Sequence, residues 1–185
     1  LNTSGIGVKD PGLELGIGRV RDGDAVLVSG PIGDHGIAVM LAREQFGLRG
    51  DLKSDAASVL PIARELVKRP GLRFMRDPTR AGRATAAPEI VQGSGLGVVL
   101  AEARVPVRDS VQSVCEMLGY DPYFLACEGR IVAVVAADEA DRALAAMQAV
   151  PAGREAAVIG RVQAQPARVI LETAIGGERV LEELE

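Results

Sequence analysis

Three short stretches of this chain combine residue types that could do chemistry with glycines or prolines that open the backbone around them. The first is Ser29-Gly30-Pro31-Ile32-Gly33-Asp34-His35-Gly36. It follows the apolar run Ala25–Ser29 and precedes a helical pattern. Glycines at such a handover let backbone N–H groups approach an anion, and the next helix adds a favourable dipole. Asp34 could hold a metal ion or cap the helix, and His35 is the only histidine in the chain. A tight turn with an aspartate cap accounts for the same residues.

The second stretch is Arg76-Asp77-Pro78-Thr79-Arg80-Ala81-Gly82, between a predicted strand and a predicted helix. That is a favoured place for phosphate in α/β proteins. Asp77 could orient a cation, Thr79 and Arg80 could donate to phosphate oxygens, and Gly82 keeps the backbone open. A proline-containing turn with surface charges is the alternative. The third is Cys127-Glu128-Gly129, entering the strongly apolar run Ile131–Ala136. Glu128 could be a carboxylate aimed into a cleft, where burial would raise its pKa and suit it to proton transfer, or an exposed loop acid. Cys127 has no histidine near it in sequence to activate it, so both it and Cys115 are read as reduced packing residues.

Elements must position these loops. Apolar runs predict strands at Ala25–Ser29, Leu72–Met75, Leu96–Leu100, Ile131–Ala136, Ala157–Val162, Arg168–Thr173 and Glu178–Leu181, with Gly176-Gly177 turning the last two into a hairpin. Spacing by threes and fours predicts helices at His35–Phe46, Ser58–Lys68, about Arg80–Gln92, Val107–Leu118 and Asp138–Ala149. Ser58 and Asp138 are the expected caps, and Pro88 is expected to kink or shorten its helix. Helices and strands alternate early and strands cluster late, which predicts an α+β fold, a mixed α/β sandwich, rather than a parallel doubly wound sheet. Residues 1–24, rich in glycine, read as a lead-in, and 25–185 as one domain.

The 185 residues include 21 basic and 25 acidic side chains, for a net charge of −4, with 48% hydrophobic and 3% aromatic residues. The core must be aliphatic. A weakly acidic chain without a long basic block offers little electrostatic basis for nucleic-acid binding, although local basic patches could hold a small anion. With no signal peptide and no membrane-length apolar run, a cytoplasmic protein is expected. No phosphate-loop, dinucleotide or zinc-protease motif is present, so any nucleotide site is unconventional.

Taken in order, VLVSGPIGDHGIAVMLAREQFGL, SDAASV, MRDPTRAG, VPVRDSVQSVCEMLGYDP, ACEGRIVAVV, AAVIGRV and TAIGGERVLE resemble the C-terminal domain of the HypE family of hydrogenase-maturation proteins. The resemblance covers nearly the whole chain, and its pairing of GDHG with DPTR is specific. It implies the AIR synthase-related C-terminal domain fold. It also implies an ATP- and Mg²⁺-dependent reaction that dehydrates a thiocarboxamide on a C-terminal cysteine to a thiocyanate, the source of hydrogenase cyanide ligands. Glu128 matches the family's glutamate and would be the general base. Asp34, His35, Asp77, Thr79, Arg80 and Gly82 match residues at the cleft that receives ATP.

The family's N-terminal ATP-binding domain, which carries the usual homodimer interface, and its Pro-Arg-Ile-Cys tail are not in this sequence. The resemblance therefore implies a fragment that is inactive alone, with other hydrogenase-maturation proteins as partners of the whole. Pro31 replaces the threonine of SGTIGDHG, Ala81 the first glycine after DPTR, and Cys127 an asparagine. A non-catalytic interaction module and another ATP-dependent enzyme of the AIR synthase superfamily are the alternatives.

Overall fold

A computed structural model describes residues 4–8, 10–43, 50–78 and 86–181. Its strands are β1 (Ala25–Val28), β2 (Leu72–Arg76), β3 (Gly97–Ala101), β4 (Val132–Val135), β5 (Ala157–Gln163), β6 (Val169–Glu172) and β7 (Glu178–Val180). Its helices are α1 (Asp34–Ala42), α2 (Leu60–Leu66), α3 (Ala87–Ser94), α4 (Asp109–Leu118) and α5 (Ala140–Gln148). The strands form one seven-stranded sheet in the order β2-β4-β1-β5-β3-β6-β7, antiparallel throughout except for the β3–β6 pair.

The central strands read as unbroken apolar runs because both of their faces are covered. Side chains alternate across a strand, so Val26, Val28, Val132 and Val134 enter one apolar cluster together with Ile90 of α3. Ala25, Leu27, Ala133 and Val135 enter the other, against Ile62 and Leu66 of α2 and Ala143 and Met147 of α5. A third, smaller cluster joins Ile37 of α1 to Val111 and Cys115 of α4 and to Leu125. The result is the expected mixed α/β sandwich.

Local departures from the sequence reading have local causes. Pro88 does not interrupt a helix. It occupies the first turn of α3, where a missing N–H costs nothing. Val107 lies outside α4 and instead bridges to Ile32, which leaves Arg108 at the N-cap position. Ser58 stands one residue before the N-cap of α2, and its Oγ accepts from the Leu60 N–H at 3.4 Å. Asp138 falls in a short 3-10 turn ahead of α5 and caps nothing. Before β1, Gly16 donates to the carbonyl of Arg73 on the outer strand β2, and Val20 is buried in the core.

Candidate functional site

All three candidate loops leave the sheet from the same end. Val132, the first residue of β4, faces Val28 at the end of β1 on one side and Arg76 at the end of β2 on the other. Adjacent strands lie about 4.8 Å apart, so the ends of β1 and β2 are only about 10 Å apart across β4. Ser29 extends the β1–β4 ladder: its N–H donates to Ile131 O at 3.0 Å and its Oγ accepts from Ile131 N–H at 2.9 Å. Glu155 joins the same end, because Ala157 of β5 also faces Val28.

In the first loop, Gly33 turns the chain into α1 with φ 84°, and a methyl there would come within 2.9 Å of Val111 Cγ1. Glycine is thus required by both conformation and space. Asp34 opens the helix but does not cap it. It is buried, and its Oδ2 accepts from Arg108 Nε at 3.1 Å and from Arg130 Nη2 at 3.2 Å. Burial pushes its carboxyl above the usual carboxylate range, against the pull of the two guanidinium groups. His35, half-buried, has Nδ1 2.9 Å from Ser54 Oγ.

The third loop is fixed from beneath. Glu128 is exposed, so the described residues do not enclose it in a dry cleft. Its backbone N–H donates to Asp55 Oδ1 at 3.0 Å. Gly129 lies directly against the backbone of Asp55 and Ala57, with no room for a Cβ. Arg130 donates from Nε to Pro31 O at 2.7 Å, and the same nitrogen is 3.4 Å from Asp55 Oδ2. Cys127 is fully buried, its Sγ accepting from the Gly33 N–H at 3.3 Å. Burial pushes its thiol up to about 12, which suits packing rather than nucleophilic attack.

The second loop is described only as far as Pro78. Asp77 is exposed, and its carbonyl accepts from Arg76 Nε at 2.9 Å. Arg76 also pairs with Glu89 of α3. Thr79, Arg80 and Gly82 lie outside the described residues. Among the described residues, no group of three His, Cys, Asp or Glu side chains is placed to hold a metal ion.

The structure thus gathers Asp34, His35, Asp77 and Glu128 at one end of the sheet and adds four residues the sequence reading passed over. Asp55, Arg108, Arg130 and Glu155 form, with Asp34, a chain of ion pairs under the loops; Glu155 holds the outer side of Arg108 at 2.8 Å. Their partners are 47 to 96 positions away in sequence, so no local pattern marks them. Together these three carboxylates and two guanidinium groups make an ion-paired floor beneath an exposed carboxylate.

The family of C-terminal domains of AIR synthase related proteins matches residues 21–172. The carbamoyl dehydratase HypE of Rhodobacter capsulatus is 45% identical over 186 residues, covering 100% of this chain and 55% of that protein. Among solved structures, a HypE–HypF complex superposes with a TM-score of 0.87 at 38% identity, over 92% of this chain and 56% of that one. A HypE solved in complex with ATP gives a TM-score of 0.85 at 38% identity, over 92% and 53% respectively. The chain spans about half the length of these relatives. It belongs to the AIR synthase-related C-terminal domains, and among them it is HypE-like.

Proposed function

We propose that this chain is the C-terminal half of an ATP-dependent carbamoyl dehydratase of the HypE type, in which Glu128 is the general base. Residues 25–185 would form the domain proper and 1–24 its lead-in. The observation that carries the proposal is the exposed Glu128 carboxylate, set on a buried ion-pair floor where the three family loops converge.

The substrate would be a thiocarboxamide on a C-terminal cysteine of the complete protein. ATP, when bound, would supply the phosphoryl group that turns the amide oxygen into a leaving group, with ADP and the first of the two N–H protons released at that step. Glu128 then accepts the proton from nitrogen as the C–O bond breaks and the C≡N bond forms, leaving a thiocyanate and inorganic phosphate. A carboxylate at the surface of one half becomes desolvated when a second half closes over it, which raises its basicity.

The residues present suit one wall of such a site rather than the whole. Arg76, Arg108 and Arg130 are each paired with carboxylates, so they hold loops in place instead of offering free charge to a triphosphate. With no described cation cluster, Mg²⁺ and most phosphate ligands would come from the N-terminal half. Asp34 and His35 would shape the cleft, and Asp77, with Thr79, Arg80 and Gly82, would border the nucleotide. The HypE–HypF complex among its neighbours supports a hydrogenase-maturation protein as partner of the whole.

The test is Glu128→Gln in the complete protein. Thiocyanate formation should be lost while ATP affinity and fold are kept. Wild-type cyanation by that variant would remove Glu128 as the base.

A further inference from the structure

The least expected residue at this end of the sheet is Asp55. Its side chain is fully buried and belongs to neither the strand ends nor the three loops. It comes from the segment between α1 and α2, yet three successive residues of the Glu128 loop are held against it. Oδ1 takes the Glu128 N–H, its backbone carbonyl lies against Gly129 Cα, and Oδ2 faces the Arg130 guanidinium. Arg130 in turn reaches Asp34 and Pro31, tying the same loop to the one that opens α1.

We propose that Asp55 is the positioning residue for Glu128. This rests on the reading of Glu128 as the base. A glutamate in a short loop can point its carboxylate in many directions, and two constraints on the backbone limit them. The N–H of Glu128 is fixed by a charge-assisted hydrogen bond, and Gly129 lets the chain press onto residues 55–57. Neither constraint involves the Glu128 carboxylate, which stays free for proton transfer. The neighbouring Ser54 hydroxyl accepts from the Ala56 N–H at 3.0 Å and contacts His35, so the 54–57 segment is itself anchored. Asp55 therefore acts through the backbone, without touching substrate.

The arrangement predicts a specific kinetic pattern in the complete, carbamoylated protein with saturating ATP. Misplacing a catalytic group by about 1 Å can cost about 100-fold in rate. Asp55→Ala should lower kcat about 10- to 100-fold and leave KM for ATP within about twofold. Asp55→Asn should recover most of the rate, because an amide oxygen can still accept the Glu128 N–H while Arg130 Nε keeps its bond to Pro31 O. Should Asp55→Ala fail to fold, Asp55→Ser, whose hydroxyl falls short of the Glu128 amide, must show the same split.

A double-mutant cycle separates positioning from general support of the fold. In a Glu128→Gln background, Asp55→Ala should change the residual single-turnover rate by less than about twofold, because the group it orients is already gone. An equal loss in both backgrounds, or a loss confined to KM, overturns the inference. So does full activity of Asp55→Ala beside an inactive Glu128→Gln. If Glu128→Gln is itself as active as wild type, the base assignment fails first, and that outcome is distinct from the others. A residual rate too small to measure leaves the kcat and KM split and the Asp55→Asn rescue to decide.

Discussion

Val28 and Arg76 face Val132 from opposite sides, each as its register partner in a different strand pair. This row of three residues brings the starts of motifs scattered over about a hundred positions of sequence to one end of the sheet. The loops after β1 and β2 and the loop before β4 all leave from it. A one-residue slip of β4 would turn its alternate side chains to the wrong faces, so the apolar pattern that fills both cores also fixes where Glu128 emerges.

Gly129 should tolerate no side chain. A Cβ there would collide with the backbone of Asp55 and Ala57, which cannot rotate away. Overpacking of this kind costs about 1–3 kcal/mol, so Gly129→Ala should lower the melting midpoint by about 2–4 °C for each kcal/mol lost. Gly18→Ala, where a Cβ meets nothing within 4 Å, is the control and should stay within about 0.5 kcal/mol. Calorimetry of the two variants side by side checks this, and equal midpoints would show that the 55–57 segment yields.

Arg130 and Arg108 both contact Asp34, but they should differ in weight. The Arg130 side chain is 11% exposed, and its removal leaves Asp34 and Asp55 without a buried counter-charge; Arg130→Ala should cost about 3–5 kcal/mol. Arg108 is 40% exposed, and its loss leaves Asp34 still paired, so Arg108→Ala should cost about 1 kcal/mol or less. Urea unfolding should show the first as a large drop in midpoint at unchanged m-value and the second as a small one. The reverse order would mean that Arg108 carries the network.

Sequence patterns made the strands, the sandwich and the chemistry-bearing loops legible because each is written locally. Apolar runs ended by Gly30-Pro31 or Asp77-Pro78 mark where strands stop, and strand ends are where loops can present functional groups. The ion-pair floor was not legible, since a buried aspartate looks like any other until its distant arginine is placed. Val107 shows the limit of periodicity. It stands four residues before Val111, as a helix would require, yet its partner is Ile32 in a bridge. Pro88 poses a related ambiguity: proline is costly inside a helix and harmless in its first turn, and only the start of α3 at Ala87 decides between them.

The chain by itself should fold and fail to turn over ATP. Of its described candidate residues only Asp77 and Glu128 are exposed, and the arginines beside them are already paired. Titration calorimetry should show ATP affinity far weaker than that of the complete protein, and a phosphate-release assay should match the protein-free blank. Tight Mg²⁺-dependent binding would instead place the main nucleotide ligands in this half.

Both cysteines should be silent in the native protein. Cys115 and Cys127 are buried, and burial raises both thiol pKa values, that of Cys127 from 9.0 to about 12. A disulfide-exchange reagent at pH 8 should therefore find no fast-reacting thiol in the folded state and two after addition of denaturant. The same shift fixes a sign for stability. The unfolded Cys127 thiol ionises near pH 9.0 while the folded one stays protonated, so its contribution is complete below 9.0 and is lost as pH rises toward 12. The loss is at most about 1.4 kcal/mol per pH unit for one thiol. Urea unfolding of wild type and Cys127→Ala at pH 8 and pH 10 should therefore show the wild type losing more stability between the two. Parallel losses would mean that Cys127 is reached by solvent in the native state, and that its contact with the Gly33 amide opens.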